Sequence, residues 1–369
     1  MAQTAGAVCF VYNIALEQRR DFWRQYRAAT GGAFNFISQG REVTQLRAEL
    51  PWLAAVATTP LTQALRDLDR AFQSFWAGRA RYPSPRRKGL NESFRFKAVD
   101  LTITRLNGKW AMLRLPKIGW VKLRLTRPMS GELVNATISL LGGAWFASFA
   151  TSIAHEAPPN SLPAIGIDRG ITNTLALSNG ELITLPALHA LERRKKHAQR
   201  TLARRRRGSN RYCKQRRRVA ALSTKIARAR NHWRHVATTD IARRFGHVAI
   251  EALKVEAMSA GPGKRGLNRS IREQGWGEIE RLLSYKLEER GGTLTKVNPA
   301  FTSQECSACG TIDRASRESQ ASFACRACGF AENADTNAAI VILRRSTASM
   351  LTEGSGCAPD EARTVNLAA

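Results

Sequence analysis

Residues 302–343 read TSQECSACGTIDRASRESQASFACRACGFAENADTNAAIVIL, and this stretch decides the architecture. Cys306 and Cys309, then Cys325 and Cys328, form two Cys-x2-Cys pairs separated by fifteen residues, each pair followed by a glycine (Gly310, Gly329). Two such knuckles set four thiolates tetrahedrally around one ion. Four cysteines leave no open position, so the spacing predicts a closed, structural Zn2+ site. Four free core cysteines, or a redox pair, are the weaker alternatives, since neither pair sits at a strand-to-helix turn. The other cysteines, Cys9, Cys213 and Cys357, are single. That is no disulfide framework; it is the pattern of an intracellular protein with one metal site. Immediately downstream, Asp335 opens an apolar helix, NAAIVIL.

Two further carboxylates lie upstream in comparable settings. Asp168 follows the apolar strand AIGI and precedes Arg169-Gly170, and Glu251 ends the strand HVAIE. A carboxylate beside a core element is costly unless paired or bound to metal. Each has a bland alternative: Asp335 as a helix cap or first-turn residue, Glu251 as a strand end paired with Lys254. Taken together, on strand, strand and helix in that order, they match an RNase-H-like nuclease. Such a site holds two Mg2+ (or Mn2+) ions about 4 Å apart between hard oxygen ligands.

The charge balance points the same way. Lys and Arg number 58 against 29 Asp and Glu, a net charge of +29. A domain so charged repels itself unless a polyanion neutralises it, and nucleic acid is the usual partner. A ribosomal-type structural protein or a membrane-surface protein are the rivals. The excess is concentrated in 193–234, which holds 18 Lys and Arg and no acid, interrupted at Gly208-Ser209-Asn210. This predicts a helical hairpin lying beside phosphates. Its candidate contacts are Arg193, Arg194, Lys195, Lys196, Arg204, Arg205, Arg206, Arg207, Arg211, Lys214, Arg216, Arg217 and Arg218.

Residues 1–82 read as helical; Leu61, Leu65, Leu68, Phe72, Phe75 and Trp76 recur at helical spacing and predict a core-facing stripe. After the connector YPSPRRKG (82–89), short β-like runs follow, with hairpin turns at Asn107-Gly108 and Gly142-Gly143. Cations interleave with aromatic residues along them (Arg95, Lys97, Arg105, Lys109, Arg114, Lys117, Lys122, Arg124), which suits a small barrel with one face on nucleic acid. The uncharged run 133–154 reads as a hairpin, not a membrane span, and no targeting segment is evident. APPNSLP (157–163) reads as a linker and 261–270 as a flexible basic loop. No His cluster, phosphate loop or nucleophile elbow is present.

The stretches GIDRGITNTLALSNG, VAIEALKVEAM, WGEIERLLSYKLEERGGTLTKVNPAFTSQECSACG and FACRACGFAENADTNAAIVIL resemble the successive motifs of the TnpB (insertion-sequence OrfB) family of transposon-encoded RNA-guided DNA endonucleases, relatives of the type V CRISPR effectors. The resemblance continues upstream through GAVCFVYNIAL and LPWLAAVATTPLTQALRDLDRAFQSFWAGRARYPSPRRKG, and covers nearly all of the chain to about residue 345. It implies a multidomain α+β protein. A helical recognition domain (1–82) comes first, with the N-terminal part of the wedge region cut short, since such proteins usually open on a basic strand. A wedge-type β-barrel (83–157) follows. Then come a RuvC-like α/β nuclease (164–301), an inserted zinc ribbon (302–331), a last RuvC-like helix (332–345) and a disordered tail (346–369).

The resemblance further implies a guide RNA as cofactor and double-stranded target DNA as substrate. Both strands would be cut at one site built from Asp168, Glu251 and Asp335, in the bacterial or archaeal cytoplasm at the nucleoid, without membrane contact. Protein partners are left open. A compact CRISPR effector or a catalytically weak guided repressor are the alternatives. All three carboxylates and all four cysteines are present, which favours the nuclease. The transposase label is less apt, since no Tyr or His-x-His recombinase motif occurs.

Overall fold

Helix α1 (Ala2–Gln25) forms from a proline-free run whose Val8, Val11, Tyr12, Ala15 and Leu16 recur on one face and are buried. Helix α2 (Phe36–Glu49) begins at a capping box: the Asn35 side chain accepts from the Ile37 and Ser38 amides while Ser38 Oγ accepts from the Asn35 amide. Helix α3 (Thr58–Trp76) buries Leu61, Leu65, Leu68 and Phe72 as the spacing predicts. The stripe ends there, however: Trp76 is 58% exposed, because the helix stops and the chain turns away at Gly78. Arg19 is buried between helices, paired with Asp69 at 3.0 Å and donating to Gln39.

The coordinates are a computed structural model, and they describe residues 1–25, 34–89, 92–258 and 265–354. Six strands follow α3. β1 (Ser93–Lys97), β5 (Glu132–Leu141) and β6 (Ala144–Ser152) make one antiparallel sheet. β2 (Thr102–Arg105), β3 (Trp110–Leu115) and β4 (Gly119–Arg124) make another. Both predicted hairpin turns are present. Gly142 and Gly143 have φ of 61° and 88°, the left-handed pair that a two-residue hairpin turn requires. The sheets share one core with the helices, including Phe94, Phe96, Leu113, Leu115 and Ile138. Met1–Ala154 and Arg193–Thr224 constitute one compact unit; His155–Glu192 and the described residues from Lys225 onward constitute a second.

The second unit is built on a five-stranded mixed sheet of order β11-β10-β7-β8-β9. β7 (Ala164–Asp168), β8 (Leu175–Leu177) and β9 (Leu182–Ile183) are antiparallel; β10 (His247–Glu251) pairs parallel to β7, and β11 (Thr293–Val297) parallel to β10. β7, β8 and β10 are continuous apolar runs, as strands covered on both faces must be. The linker 157–163 is anchored: Asn160 Nδ2 donates to Arg290 O at 2.8 Å, and a Cβ on Gly291 would stand 1.9 Å from Pro158 O.

Between β9 and β10 run helices α4 (His189–Ala203) and α5 (Asn210–Arg244), the predicted basic hairpin, turning at Gly208. Helices α6 (Arg265–Gln274) and α7 (Trp276–Glu288) precede β11. The loop expected over 261–270 is instead helical from Arg265, because Ile271 and Gln274, one turn apart, are both buried; 261–264 lie outside the described residues. β12 (Ser322–Ala324) and β13 (Ala331–Asn333) form a small hairpin, and α8 (Ala334–Gly354) follows it. That helix continues through 346–354, where a disordered tail was expected, since nothing in STASMLTEG breaks it before its terminal glycine. Residues 355–369 lie outside the described residues.

Candidate active site and metal centre

β7 and β10 run side by side with Ile167 opposite Ile250, so the next residue of each, Asp168 and Glu251, emerges at neighbouring carboxyl ends. This is where the strand order of the sheet reverses, the position at which open α/β sheets place ligands. The third carboxylate arrives on α8. Asn333 caps that helix, its side chain accepting from the Asp335 amide at 3.0 Å and the Thr336 amide at 3.2 Å. Asp335 is therefore not the cap. It stands in the first turn, where the helix dipole favours an anion, with its own carboxylate unused by the backbone. α8 reaches the site by crossing β7 at Gly166, where any Cβ would lie 2.0 Å from Ala339 O.

The structure thus brings together the three carboxylates that the sequence singled out. Their proximity has an electrostatic consequence. The Asp168 carboxyl is pushed up to about 7, first by burial, then by the charges of Glu251 and Asp335. Such mutual repulsion is what a cation would relieve.

Other residues serve the cluster and were not marked by any sequence pattern. Thr302, 2% exposed, donates its hydroxyl to Glu251 Oε1. Asn173 Nδ2 donates to Asp335 Oδ2 at 3.0 Å, and Arg317 stands 3.5 Å from Asp335 Oδ1. Buried Arg169 donates to the Glu251 carbonyl and pairs with Glu280 at 3.3 Å, so it ties the Asp168 strand to the Glu251 strand. Glu251 has no ion pair with Lys254, the bland alternative for it, among the described residues.

The raised Asp168 carboxyl has a measurable consequence. A carboxyl whose folded pKa exceeds its unfolded one contributes stability while protonated. That contribution is complete below about pH 4 and is lost as pH rises through about 7. Asp168→Asn has no proton to lose. In chelator, at pH 8, this variant should melt higher than the parent, by roughly 2–4 °C per kcal/mol of buried-charge cost and repulsion relieved. The two melting curves converge below about pH 4. Equal melting temperatures at pH 8 would show that the Asp168 carboxyl is not raised by its surroundings.

The four cysteines converge as their spacing predicts. Among the described residues they are the set of metal-ligating groups whose ligand atoms all lie within 4.8 Å of one another. Cys306 and Cys328 Sγ are 3.8 Å apart, Cys309 and Cys325 Sγ 3.6 Å. Four thiolates at about 2.3 Å from a tetrahedral ion lie about 3.8 Å from one another, so the set fits Zn2+. The two knuckles repeat one turn. The Gly310 amide donates to Cys306 O and the Gly329 amide to Cys325 O, and each glycine has positive φ. The ribbon is keyed to α8: buried Asn337 accepts from the Ser307 amide and donates to Glu305 O, while Glu305 pairs with Arg344 and Arg345.

The basic hairpin residues are exposed, save Lys195, which is partly buried. Arg193, Arg194, Lys195, Lys196, Arg204 to Arg207, Arg211, Lys214 and Arg216 to Arg218 have no ion-pair partner among the described residues. No described helix is long and apolar enough to cross a membrane.

Residues 276–342 match the family "Cas12f1-like, TNB domain", and residues 148–260 match the OrfB_IS605 family, described as "Probable transposase". The chain is 35% identical to InsQ of Escherichia coli strain K12, named for RNA-guided DNA endonuclease activity, over 93% of this chain and 87% of that protein. It is 31% identical to a Streptomyces pristinaespiralis protein named for the same activity, over 95% and 86%. The fold resembles that of Cas12f1 in a complex with single-guide RNA and target DNA, with a TM-score of 0.59 at 17% identity, covering 92% of this chain and 81% of that one.

Proposed function

From the premise that this chain belongs to the TnpB (insertion-sequence OrfB) family of RNA-guided DNA endonucleases, we propose that it binds a guide RNA and hydrolyses both strands of matching duplex DNA at the Asp168–Glu251–Asp335 cluster. The observation that carries this reading is the convergence of those carboxylates at the carboxyl ends of two parallel strands, in a sheet of order β11-β10-β7-β8-β9. Three antiparallel strands followed by two parallel ones is the arrangement expected of a RuvC-like, RNase-H-like nuclease. On the same reading the two three-stranded sheets are the wedge-type barrel, α1 to α3 the recognition domain, and 302–331 the zinc ribbon. The protein would act in the cytoplasm.

Asp168, Glu251 and Asp335 offer only hard oxygen ligands and would hold Mg2+ or Mn2+. When bound, such ions activate water and neutralise charge at the scissile phosphate. The chain's own residues do the rest. Thr302 fixes the Glu251 carboxylate by one oxygen, while Asp335 is held by Asn173 at one oxygen and faces Arg317 at the other. Arg169 holds the two strand ends at a fixed separation. Cys306, Cys309, Cys325 and Cys328 would hold Zn2+, which shapes the ribbon and takes no part in the chemistry.

The direct test is to purify the protein from a bacterial host, sequence the RNA that stays bound, and challenge the complex with DNA matching that RNA. Cleavage should require both the match and a divalent cation. Cutting indifferent to the RNA, or the absence of a defined RNA, would overturn the proposal.

The exposed hairpin cations are proposed to grip the guide or its heteroduplex through phosphates. Replacing Arg204, Arg205, Arg206 and Arg207 with Gln should flatten the salt dependence of RNA binding, by a slope of roughly 0.7–0.9 for each phosphate no longer neutralised. An unchanged slope would return this stretch to the status of a solvated helix.

A further inference from the structure

The sheet of β2, β3 and β4 carries chemistry that the nuclease reaction does not use. Trp110 pairs opposite Arg124, Met112 opposite Lys122, and Arg114 opposite Trp120. Ala111, Leu113 and Leu115 are buried on the core side, so alternation puts these six on the outward face together. Trp110 is 37% exposed and Trp120 51%. Lys122 Nζ lies 4.9 Å from the centre of the Trp110 ring. From Thr102 to Arg124 there are six Lys and Arg and no Asp or Glu.

A solvated sheet face ordinarily carries polar side chains, and indoles held in water forfeit the burial that favours them. Exposed apolar surface rimmed by charge marks a binding surface. The partner's chemistry follows from the pattern. Ring faces alternate with cations across the strands, and no acid interrupts them. An acidic protein surface would satisfy the cations and leave the indoles unmatched. Nucleobases stack on indole while their phosphates meet the flanking cations, so an unpaired strand satisfies both; a duplex would hide its base faces. We propose that this face is a stacking platform for unpaired nucleotides of RNA or DNA. It rests on the nucleic-acid partner of the proposed function, not on the carboxylate site.

The test uses the full chain, with the double variant Trp110→Ala/Trp120→Ala and the conservative Trp110→Phe/Trp120→Phe. The probes are a short single-stranded oligoadenylate, its deoxy counterpart, an abasic strand of the same length, and a duplex. The alanine variant should lose about tenfold or more in affinity for the single strand, while abasic-strand and duplex binding stay as in the parent. The phenylalanine variant should recover most of the loss. Photocrosslinks from the single strand to the parent protein should map to Trp110 or Trp120, which keeps the test open should a variant misfold. Loss confined to the RNA or to the DNA probe identifies which strand occupies the face. Unchanged single-strand affinity, an equal loss on the abasic strand, or crosslinks mapping elsewhere each overturn the platform. None of these results bears on whether Asp168 variants cut DNA, so the nuclease reading stands or falls separately.

Discussion

Asp168→Ala, Glu251→Ala and Asp335→Ala should each cut guide-matched DNA at least about a thousandfold more slowly than the parent, while retaining guide RNA. The magnitude follows from removing a ligand from a site where bound metal lowers the barrier by several kcal/mol, at about 1.4 kcal/mol per tenfold. The three should be equivalent, because on the proposed reading each supplies a different wall. Asp168 and Glu251 close the site from adjacent strands, and Asp335 closes it from the helix that crosses at Gly166. Retained RNA is expected because none of the three belongs to the exposed basic surface. The contrast with folding is sharper still. Metal-free Asp168→Asn should be more stable than the parent at pH 8 and yet inactive, the signature of a residue kept for function against stability. Near-normal cutting by any one alanine variant, in kinetics under metal saturation, would remove that residue from the site.

The second large effect concerns zinc. The purified protein should contain about one zinc per chain, and Cys325→Ser should lose it together with the fold of 302–333. The ribbon's own core is four buried residues, Cys306, Phe323, Cys325 and Ala334, backed by Phe330. So small a core does not fold unaided. Zinc binding to such sites supplies an apparent ~10–16 kcal/mol, as large as the whole stability of a typical domain. Loss of the ribbon should reach the active site through three sets of hydrogen bonds. Thr302 would leave Glu251, Asn333 would cease to cap α8, and Asn337 would lose Ser307 and Glu305. Cleavage should therefore fall in Cys325→Ser, although no cysteine touches the carboxylates. Metal analysis and limited proteolysis read the two outcomes independently. A zinc-free parent protein whose ribbon resists protease would defeat the assignment.

Much of this was legible in the sequence. Cys-x2-Cys followed by glycine is a local geometry: the spacing alone dictates the turn, and both knuckles form it. Apolar runs ending in Asp168 and Glu251 are likewise local, because a strand covered on both faces must be apolar until it leaves the sheet. The basic hairpin was visible because uncompensated charge over 193–234 is a property of the residues alone, whatever packs beside them. Local signals misled where packing opposes them. Glycine and basic residues suggested a loop across 261–270, yet burial of Ile271 and Gln274 draws the chain into a helix from Arg265. Trp76 continued an apolar stripe by spacing and nonetheless faces water.

The sequence by itself thus determined the four-cysteine cluster, the strand-borne carboxylates and the polyanionic class of partner. Each rests on residues a few positions apart, where chain geometry leaves little choice. Only the tertiary structure decided what surrounds them. Thr302 meets Glu251 across 51 residues and Asn173 meets Asp335 across 162. It also decided that Asn333 caps the helix and leaves Asp335 free, and that Trp110 and Trp120 stand on one outward face among arginines and a lysine. Such pairings depend on which surfaces the core brings together. Burial is a property of the whole chain, and no local spacing encodes it.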